Sequence, residues 1–198
     1  RRVPLMSVRM VLLGPPGAGK GTQAARISER LSIPAISTGD IFRANASGAT
    51  ELGKQAKQYM DKGEYVPDSV TNAMVKERLA AADAAQGFLL DGYPRTESQV
   101  HELDAMLAET GLALDVVLEI TADAEAVVAR LLKRATEQNR ADDTEPVIRR
   151  RLEVYAEQTE PLASLYGSRG LLVRVDGIGD VDEVTERIMT ALAPYAAV

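Results

Sequence analysis

The sequence contains no cysteine and no tryptophan, and aromatic residues make up only 4% of the chain. Without cysteine there can be no disulfide and no zinc site built on thiolates, which fits a reducing compartment such as the cytoplasm. The scarcity of aromatics argues against a surface on which nucleic-acid bases stack. A net charge of −6 argues against broad binding to a polyanion, so we expect no nucleic-acid partner.

Long apolar runs are also missing. No run approaches the roughly 18 residues that a membrane-spanning helix needs, so we expect no membrane partner. The length of 198 residues suits a single domain, 1–198, that can bury a real core. Nothing in the sequence suggests an exposed interface stripe, and we expect a monomer.

The pattern of the chain is an alternation of apolar runs with helical patterns. Such alternation predicts an α/β fold in which a five-stranded parallel sheet is flanked by helices. The predicted strands are 8–13, 34–37, 87–91, 115–120 and 171–175. The predicted helices are 20–31, two or three segments within 39–82, 97–109, 122–135, 145–166 and 181–192. A polar stretch, TEQNRADDT at 136–144, interrupts the pattern.

The stretch GPPGAGKGT at 14–22 lies between the first predicted strand and the first predicted helix. Its spacing, Gly14 and then Gly19-Lys20 after four residues, is that of a phosphate-binding P-loop. Glycines let successive backbone N–H groups converge on phosphate oxygens, the helix start is positive, and Lys20 adds a point charge. The general pattern has Ser or Thr after the lysine, whereas this chain has Gly21 and then Thr22. The alternative is a glycine-rich turn with an exposed lysine.

The sequence DGYPR, 91–95, comes at the carboxyl end of the third predicted strand, where ligands bind in open α/β sheets. Asp91 could orient a magnesium ion through water, and Arg95 could direct its guanidinium at a phosphate. Gln99, about one helical turn further on, offers the donor and the acceptor that an adenine edge needs. The alternative is a turn that carries an incidental arginine.

A helix start and a group of arginines are further candidates. In STGDIFR, 37–43, Thr38 and Arg43 could reach one ligand from the same helix end. The alternative is a helix cap with an exposed arginine. Arg134, Arg140 and Arg151 flank the polar stretch and could close over a polyphosphate. A solvated cluster of mixed charge is the alternative for these arginines.

Five segments, which occur in family order across nearly the whole chain, closely resemble adenylate kinases. They are GPPGAGKGTQ at 14–23, ISTGDIFR at 36–43, LLDGYPRTESQ at 89–99, NRADDT at 139–144 and RRRLEVYAEQTEPL at 149–162.

The resemblance implies reversible transfer of the terminal phosphoryl group of Mg-ATP to AMP, giving two ADP, and a role in adenine nucleotide homeostasis. It implies a P-loop kinase domain with an insertion at 37–66 that binds the monophosphate and a lid at 134–144. Because the lid is short and cysteine is absent, the chain resembles the short-lid form, and we expect magnesium but no zinc.

The family's functional residues carry over onto matching positions. The residues that the resemblance implies for phosphoryl transfer are Lys20, Arg95, Arg134, Arg140 and Arg151. Those implied for ATP binding are Gly17, Ala18, Gly19, Lys20, Gly21, Thr22, Arg130, Arg134 and Gly179. Those implied for AMP binding are Thr38, Arg43, Glu64, Tyr65, Val66, Gly92, Tyr93, Pro94, Arg95, Gln99, Arg140 and Arg151. Asp91 is implied for magnesium, through water. The spacing between Arg134 and Arg140 departs from other short lids.

Two other functions are compatible with parts of this pattern. A kinase for UMP or CMP resembles it, but that sister group typically lacks the threonine found here at Thr38. A non-catalytic nucleotide switch would use the P-loop, but it would leave Arg95, Arg140 and Arg151 without a purpose.

Overall fold

The computed structural model describes residues 8–62, 66–139 and 144–196. Its centre is a five-stranded sheet in the order β2-β3-β1-β4-β5, in which every neighbouring pair is parallel. The strands are β1 (Val8–Leu13), β2 (Ala35–Ser37), β3 (Gly87–Asp91), β4 (Val116–Thr121) and β5 (Leu172–Asp176). The predicted α/β fold is therefore confirmed.

Eight α-helices connect and cover the strands in the described part of the chain, and a short 3-10 turn precedes β3. The helices are α1 (Lys20–Leu31), α2 (Thr38–Ser47), α3 (Glu51–Met60), α4 (Asp68–Leu79), α5 (Glu97–Ala108), α6 (Ala124–Glu137), α7 (Glu145–Ser168) and α8 (Val181–Ala196). None of these helices combines the length and the apolar character that crossing a bilayer requires.

The sheet is buried on both faces, as a parallel sheet covered by helices must be. On one face, side chains such as Val11 and Leu90 pack with residues of α2, α4, α5 and α7. On the other face, Met10 and Leu12 pack against α1 and α8. The alternation of β1 side chains between these two clusters explains why its sequence is almost continuously apolar.

The limits of several elements differ from the predicted ones. Helix α6 continues to Glu137, so the first residues of the predicted lid, 134–144, are the last turn of a helix. Within this last turn the Thr136 hydroxyl donates to the Leu132 carbonyl at 3.1 Å, so the polar side chain is accommodated on the helix. The predicted insertion, 37–66, begins at the end of β2 and contains α2 and α3. Residues 63–65 and 140–143 of these two segments lie outside the described residues.

Candidate functional site

Three strands end together at one edge of the sheet. In the parallel register, Asp91 at the end of β3 pairs with Leu12 of β1 and with Ser37 of β2. The loops that follow β1 and β3 border a cavity of about 810 Å³, whereas Thr38, which follows β2, is not among its lining residues. Ligands of open α/β sheets bind at such a carboxyl edge, so the fold brings the predicted site residues to the expected place.

The P-loop forms the floor of this cavity. Gly17 and Gly19 have φ angles of 83° and 79°, a region that L side chains rarely adopt. A Cβ atom on Gly17 would also lie 2.8 Å from Cγ of Leu131, so the loop approaches α6 too closely for any side chain. Arg130 of α6 donates a hydrogen bond to the Gly17 carbonyl at 3.0 Å. The loop is thus fixed from the side of α6.

Lys20, the first residue of α1, pairs with the carboxylate at the end of β3. Its Nζ lies 2.7 Å from Oδ1 of Asp91, and both side chains are largely but not fully shielded from solvent. The contact is an ion pair without the geometry of a directed hydrogen bond to Oδ1. Lys20, predicted to contact the terminal phosphates, and Asp91, predicted to orient magnesium through water, therefore meet in the structure.

Thr38, Gly92 and Arg95 come together beside the P-loop. A Cβ atom built on Gly92 would lie 3.2 Å from Thr38 Oγ1 and 3.3 Å from Arg95 Nη2. Gly92 has a φ of 87°, and its carbonyl accepts a 2.8 Å hydrogen bond from Arg95 Nε. The guanidinium is consequently held at its base, while its outer nitrogens stay exposed at the cavity.

Arg43 turns back onto the start of its own helix. It forms an ion pair with Asp40, and its guanidinium lies 3.3 Å from the position a Cβ would take on Gly39. Hydrogen bonds from Arg43 and then from Ser37 hold the pKa of Asp40 below its usual value. Ser37, rather than Thr38, caps α2, since its hydroxyl accepts from the Asp40 N–H at 3.1 Å. The Thr38 hydroxyl is not used as the cap.

Gln99 is buried, with only 6% of its surface exposed. Its Oε1 accepts a hydrogen bond from the Arg95 backbone N–H at 2.7 Å, and its Nε2 donates one to Asp68 Oδ1 at 3.0 Å. One lone pair and one N–H of the amide remain, which is the donor–acceptor pair predicted for Gln99.

Arginines from α6 and α7 line the other side of the cavity. Their side chains are exposed, and they project from two helices that lead into and out of the predicted lid. The arginines in question are Arg130, Arg134, Arg150 and Arg151. Three of the four are predicted site residues, and Arg140 lies outside the described residues.

The loop after β5 closes the cavity near the P-loop. Gly179 lines it and has a φ of 126°, which favours glycine. Arg187 of α8 donates hydrogen bonds to the carbonyls of Asp176 and Ile178 at 3.0 and 2.5 Å. Gly177 approaches β4 so closely that a Cβ would lie 2.5 Å from Cγ2 of Ile120. This loop is therefore firmly placed.

Not all predicted residues point their side chains at the cavity. Tyr93 is buried in the core and its hydroxyl donates to Asn72 Oδ1 at 2.7 Å, so a ligand could meet only its backbone. Burial raises the pKa of the Tyr93 hydroxyl. Pro94 is buried and lines the cavity, and Val66 is half-buried against the core. Glu64 and Tyr65 lie outside the described residues.

The structure adds α7 residues that the sequence-based prediction missed. Tyr155 and Thr159 line the cavity one and two turns beyond Arg151, and Gln158 and Arg150 do so beside them. Burial, and then the nearby Glu119 carboxylate, raise the pKa of the Tyr155 hydroxyl, which stays neutral at physiological pH. The four-residue spacing from Arg151 was the signal that could have identified Tyr155 and Thr159.

The residues present fit a magnesium ion held mainly by phosphate and water. Within the described residues, no three His, Cys, Asp or Glu side chains form a metal-binding group. A protein cage is not what Mg²⁺ requires in phosphoryl-transfer sites, where one or two carboxylates and the substrate phosphates suffice. Asp91 at the strand end, close to the P-loop lysine, supplies such a carboxylate.

Comparison with known proteins adds independent information. The family model described as adenylate kinase matches residues 12–171. The chain is 65% identical to an adenylate kinase of Kocuria rhizophila over 184 residues, 93% of this chain and 98% of that protein. It is 60% identical to one of Thermobifida fusca over 189 residues, covering 96% of this chain and all of the relative. The chain therefore belongs to the adenylate kinase family of enzymes.

Proposed function

We propose that this chain catalyses reversible transfer of the terminal phosphoryl group of Mg-ATP to AMP, giving two ADP. The matching family model and the relatives, which are named adenylate kinases and align with most of the chain, support this class of reaction. The observation that carries the proposal is the convergence of one lysine and several arginines on a single cavity. Lys20 lies at its floor, Arg95 on one side, and Arg134 and Arg151 on the other.

Such a set of cations suits two anionic ligands rather than one. Nucleotide phosphates repel each other, and in-line phosphoryl transfer depends mostly on positioning and on neutralising this charge. A nucleotide that is merely bound needs the P-loop, but it does not need arginines that line the same cavity from the loop after β3 and from α7. The geometry thus favours an enzyme with a donor and an acceptor over a nucleotide switch.

On the donor side, the backbone N–H groups of the P-loop would cradle the β and γ phosphates, with Arg130 and Arg134 beside them. The fixed positions of Gly17 and of the α1 start support this role, because a preorganised anion site costs no rearrangement when the ligand arrives. The loop at Gly179 would meet the donor base through its backbone.

On the acceptor side, Arg95 would hold the monophosphate that attacks. Its Nε is tied to the Gly92 carbonyl and the residue lines the cavity, which leaves the two outer nitrogens available for a phosphate. Arg43, Arg140 and Arg151 would complete the phosphate contacts, and Thr38 and Gln99 would contact the base. When the acceptor binds, the Arg43 guanidinium must either break its ion pair with Asp40 or contact the phosphate while keeping that pair.

Asp91, through water, and Thr22 would help to hold magnesium on the donor phosphates, where the ion would supply positive charge. Lys20 is paired with Asp91 in the structure, so its ammonium must move toward the phosphates when nucleotide binds. Because Lys20 sits on a flexible four-carbon stem, this displacement requires no change of the backbone.

The two segments that flank the cavity would move during the cycle. The segment 37–66 would close on the acceptor, and the lid, 134–144, would cover the donor phosphates and exclude water. We further propose that the enzyme works as a cytoplasmic monomer in adenine nucleotide homeostasis. It would need magnesium and no zinc, and it would have no nucleic-acid or membrane partner.

A coupled assay with ATP and each monophosphate in turn tests the proposal. AMP should be phosphorylated far faster than UMP, CMP or GMP, since a site that hydrogen-bonds one base edge rejects others by large factors. Comparable use of UMP or CMP would identify a pyrimidine nucleotide kinase instead. Tight nucleotide binding without transfer to any acceptor would indicate a switch.

A further inference from the structure

Asp68, the first residue of α4, carries a carboxylate whose purpose the reaction does not explain. It lies 31 positions from Gln99 in the sequence, yet its Oδ1 accepts a 3.0 Å hydrogen bond from Gln99 Nε2. It is not among the residues that line the cavity. The role of Asp68 must therefore be sought in its hydrogen bond to Gln99.

The orientation of the Gln99 amide follows from the chemistry of its two partners. The backbone N–H of Arg95 can only donate, so the atom 2.7 Å away must be the amide oxygen. An ionised carboxylate can only accept, so the atom that faces Asp68 must be the amide nitrogen. A rotation of the amide by 180° would set an oxygen against Asp68 and an N–H against an N–H.

Burial makes this preference strong. Gln99 is 6% exposed, so little water is available to satisfy a reversed amide. A buried polar group without a partner costs more than an ordinary hydrogen bond gains, and both polar atoms of a reversed Gln99 amide would face a group of their own kind. The backbone of Gln99 is also fixed, because its N–H donates a hydrogen bond to Thr96 Oγ1 at 3.2 Å.

We propose that Asp68 is a positioning residue that determines acceptor specificity by locking the Gln99 amide in one orientation. This inference rests on the proposed function, in which Gln99 contacts the acceptor base. Adenine presents an acceptor at N1 and a donor at its 6-amino group. The 6-oxopurines, hypoxanthine and guanine, present the reverse, a donor at N1 and an acceptor at O6. A locked amide complements one pattern and opposes the other, whereas an amide held only by the Arg95 N–H could rotate at lower cost and accept either.

IMP is the sharpest probe, because it differs from AMP only at N1 and the 6-position. The ratio of kcat/KM for AMP to that for IMP should fall by about ten- to a hundredfold in Asp68→Ala, the size of reversing one or two buried hydrogen bonds. AMP should become a poorer acceptor and IMP a better one. The KM for ATP should not change, because Asp68 does not face the donor.

Two matched variants separate this role from a structural one. Asp68→Asn keeps an oxygen that accepts from Gln99 but loses the charge at the start of α4, and it should retain most of the AMP preference. Ser69→Ala alters the neighbouring exposed residue in the same helical turn and should leave the ratio unchanged. Asp68→Ser, a good helix-start residue that is too short to hold Gln99, replaces the alanine variant if that variant does not fold.

A double-mutant cycle shows whether Asp68 acts through Gln99. In the Gln99→Leu background, which has no amide to orient, Asp68→Ala should no longer alter the AMP to IMP ratio. The proposal is overturned if Asp68→Ala lowers kcat/KM for both acceptors equally, or if it shifts the ratio as much without Gln99 as with it. A wild-type enzyme that phosphorylates neither acceptor would instead overturn the proposed function.

Discussion

Lys20 and Asp91 form an ion pair of 2.7 Å between the start of α1 and the end of β3. The register of β1 with β3 creates this contact, since Leu12 and Asp91 are direct neighbours two residues before the P-loop begins. A mobile cation and a fixed carboxylate thus stand at the point where phosphate and metal would meet.

Lys20→Met should leave the fold intact and lower kcat by several orders of magnitude. The ammonium would act on the transferring phosphoryl group, and removing one preorganised group from such a position typically costs about 10²–10³ in rate or more. Circular dichroism and a coupled kinase assay measure the two effects. Lys133→Met, on the exposed side of α6, is the control and should behave as wild type. Turnover near the wild-type rate would remove Lys20 from the transfer step.

Asp91→Asn should lower turnover by about two orders of magnitude and raise the Mg²⁺ concentration needed for half-maximal activity. The amide keeps the shape of the carboxylate but loses the charge that a hard cation and Lys20 both require. A magnesium titration of the rate at saturating ATP gives the answer. Asp104→Asn, which breaks an ion pair with Arg169 away from the cavity, should leave the titration unchanged. An unaltered magnesium requirement in the Asp91 variant would exclude Asp91 from the metal site.

Arg95→Ala should weaken AMP binding and phosphoryl transfer while ATP affinity stays nearly constant. Losing a charge-assisted contact from a guanidinium to phosphate costs about 1.5–3 kcal/mol. Arg95→Lys should recover only part of the loss, because lysine cannot also bond the Gly92 carbonyl through a second nitrogen. Separate calorimetric titrations with ATP and AMP measure both sites, and Arg30→Ala on α1 is the control. Weaker ATP binding with AMP binding intact would mean that the two sites are assigned the wrong way round.

Thr38→Ala should reduce the preference for AMP by admitting UMP and CMP, with little effect on the choice of triphosphate. The Thr38 hydroxyl is not needed to cap α2, since Ser37 does so, and it lies instead at Gly92 beside Arg95. Thr38→Ser keeps the hydroxyl and should keep the preference. Competition assays that mix AMP with each pyrimidine monophosphate measure the change. If the alanine variant discriminates as well as wild type, the Thr38 hydroxyl takes no part in base selection.

The fold could be predicted because its signals are local. The apolar runs predict the limits of β1 and β3, and the glycines and lysine of the P-loop predict the start of α1. All three elements have the predicted bounds. The predicted end of α6 is two residues too early, because the polar sequence after Ala135 suggests a loop whereas the helix continues to Glu137. Polarity alone does not end a helix when its outer face is solvated.

The candidate site was predictable where residues form a motif and unpredictable where they meet through the fold. The P-loop and DGYPR are contiguous, so their chemistry is visible in the sequence. Gln99 donates a hydrogen bond to Asp68, and Arg187 donates two to the loop at Gly179. These residues are distant in the sequence or belong to no recognisable motif. Likewise, the burial of Tyr93 within DGYPR follows from packing that no local pattern encodes.

The most direct test of the account uses ADP as the sole nucleotide. With magnesium present, the enzyme should convert ADP to equal amounts of ATP and AMP, which phosphorus NMR resolves in one sample, and Lys20→Met should not. An enzyme that holds a donor and an acceptor at once carries out this disproportionation by direct transfer between two bound ADP molecules. If ADP remains unchanged, or yields AMP and inorganic phosphate without ATP, the cavity does not transfer a phosphoryl group between two nucleotides.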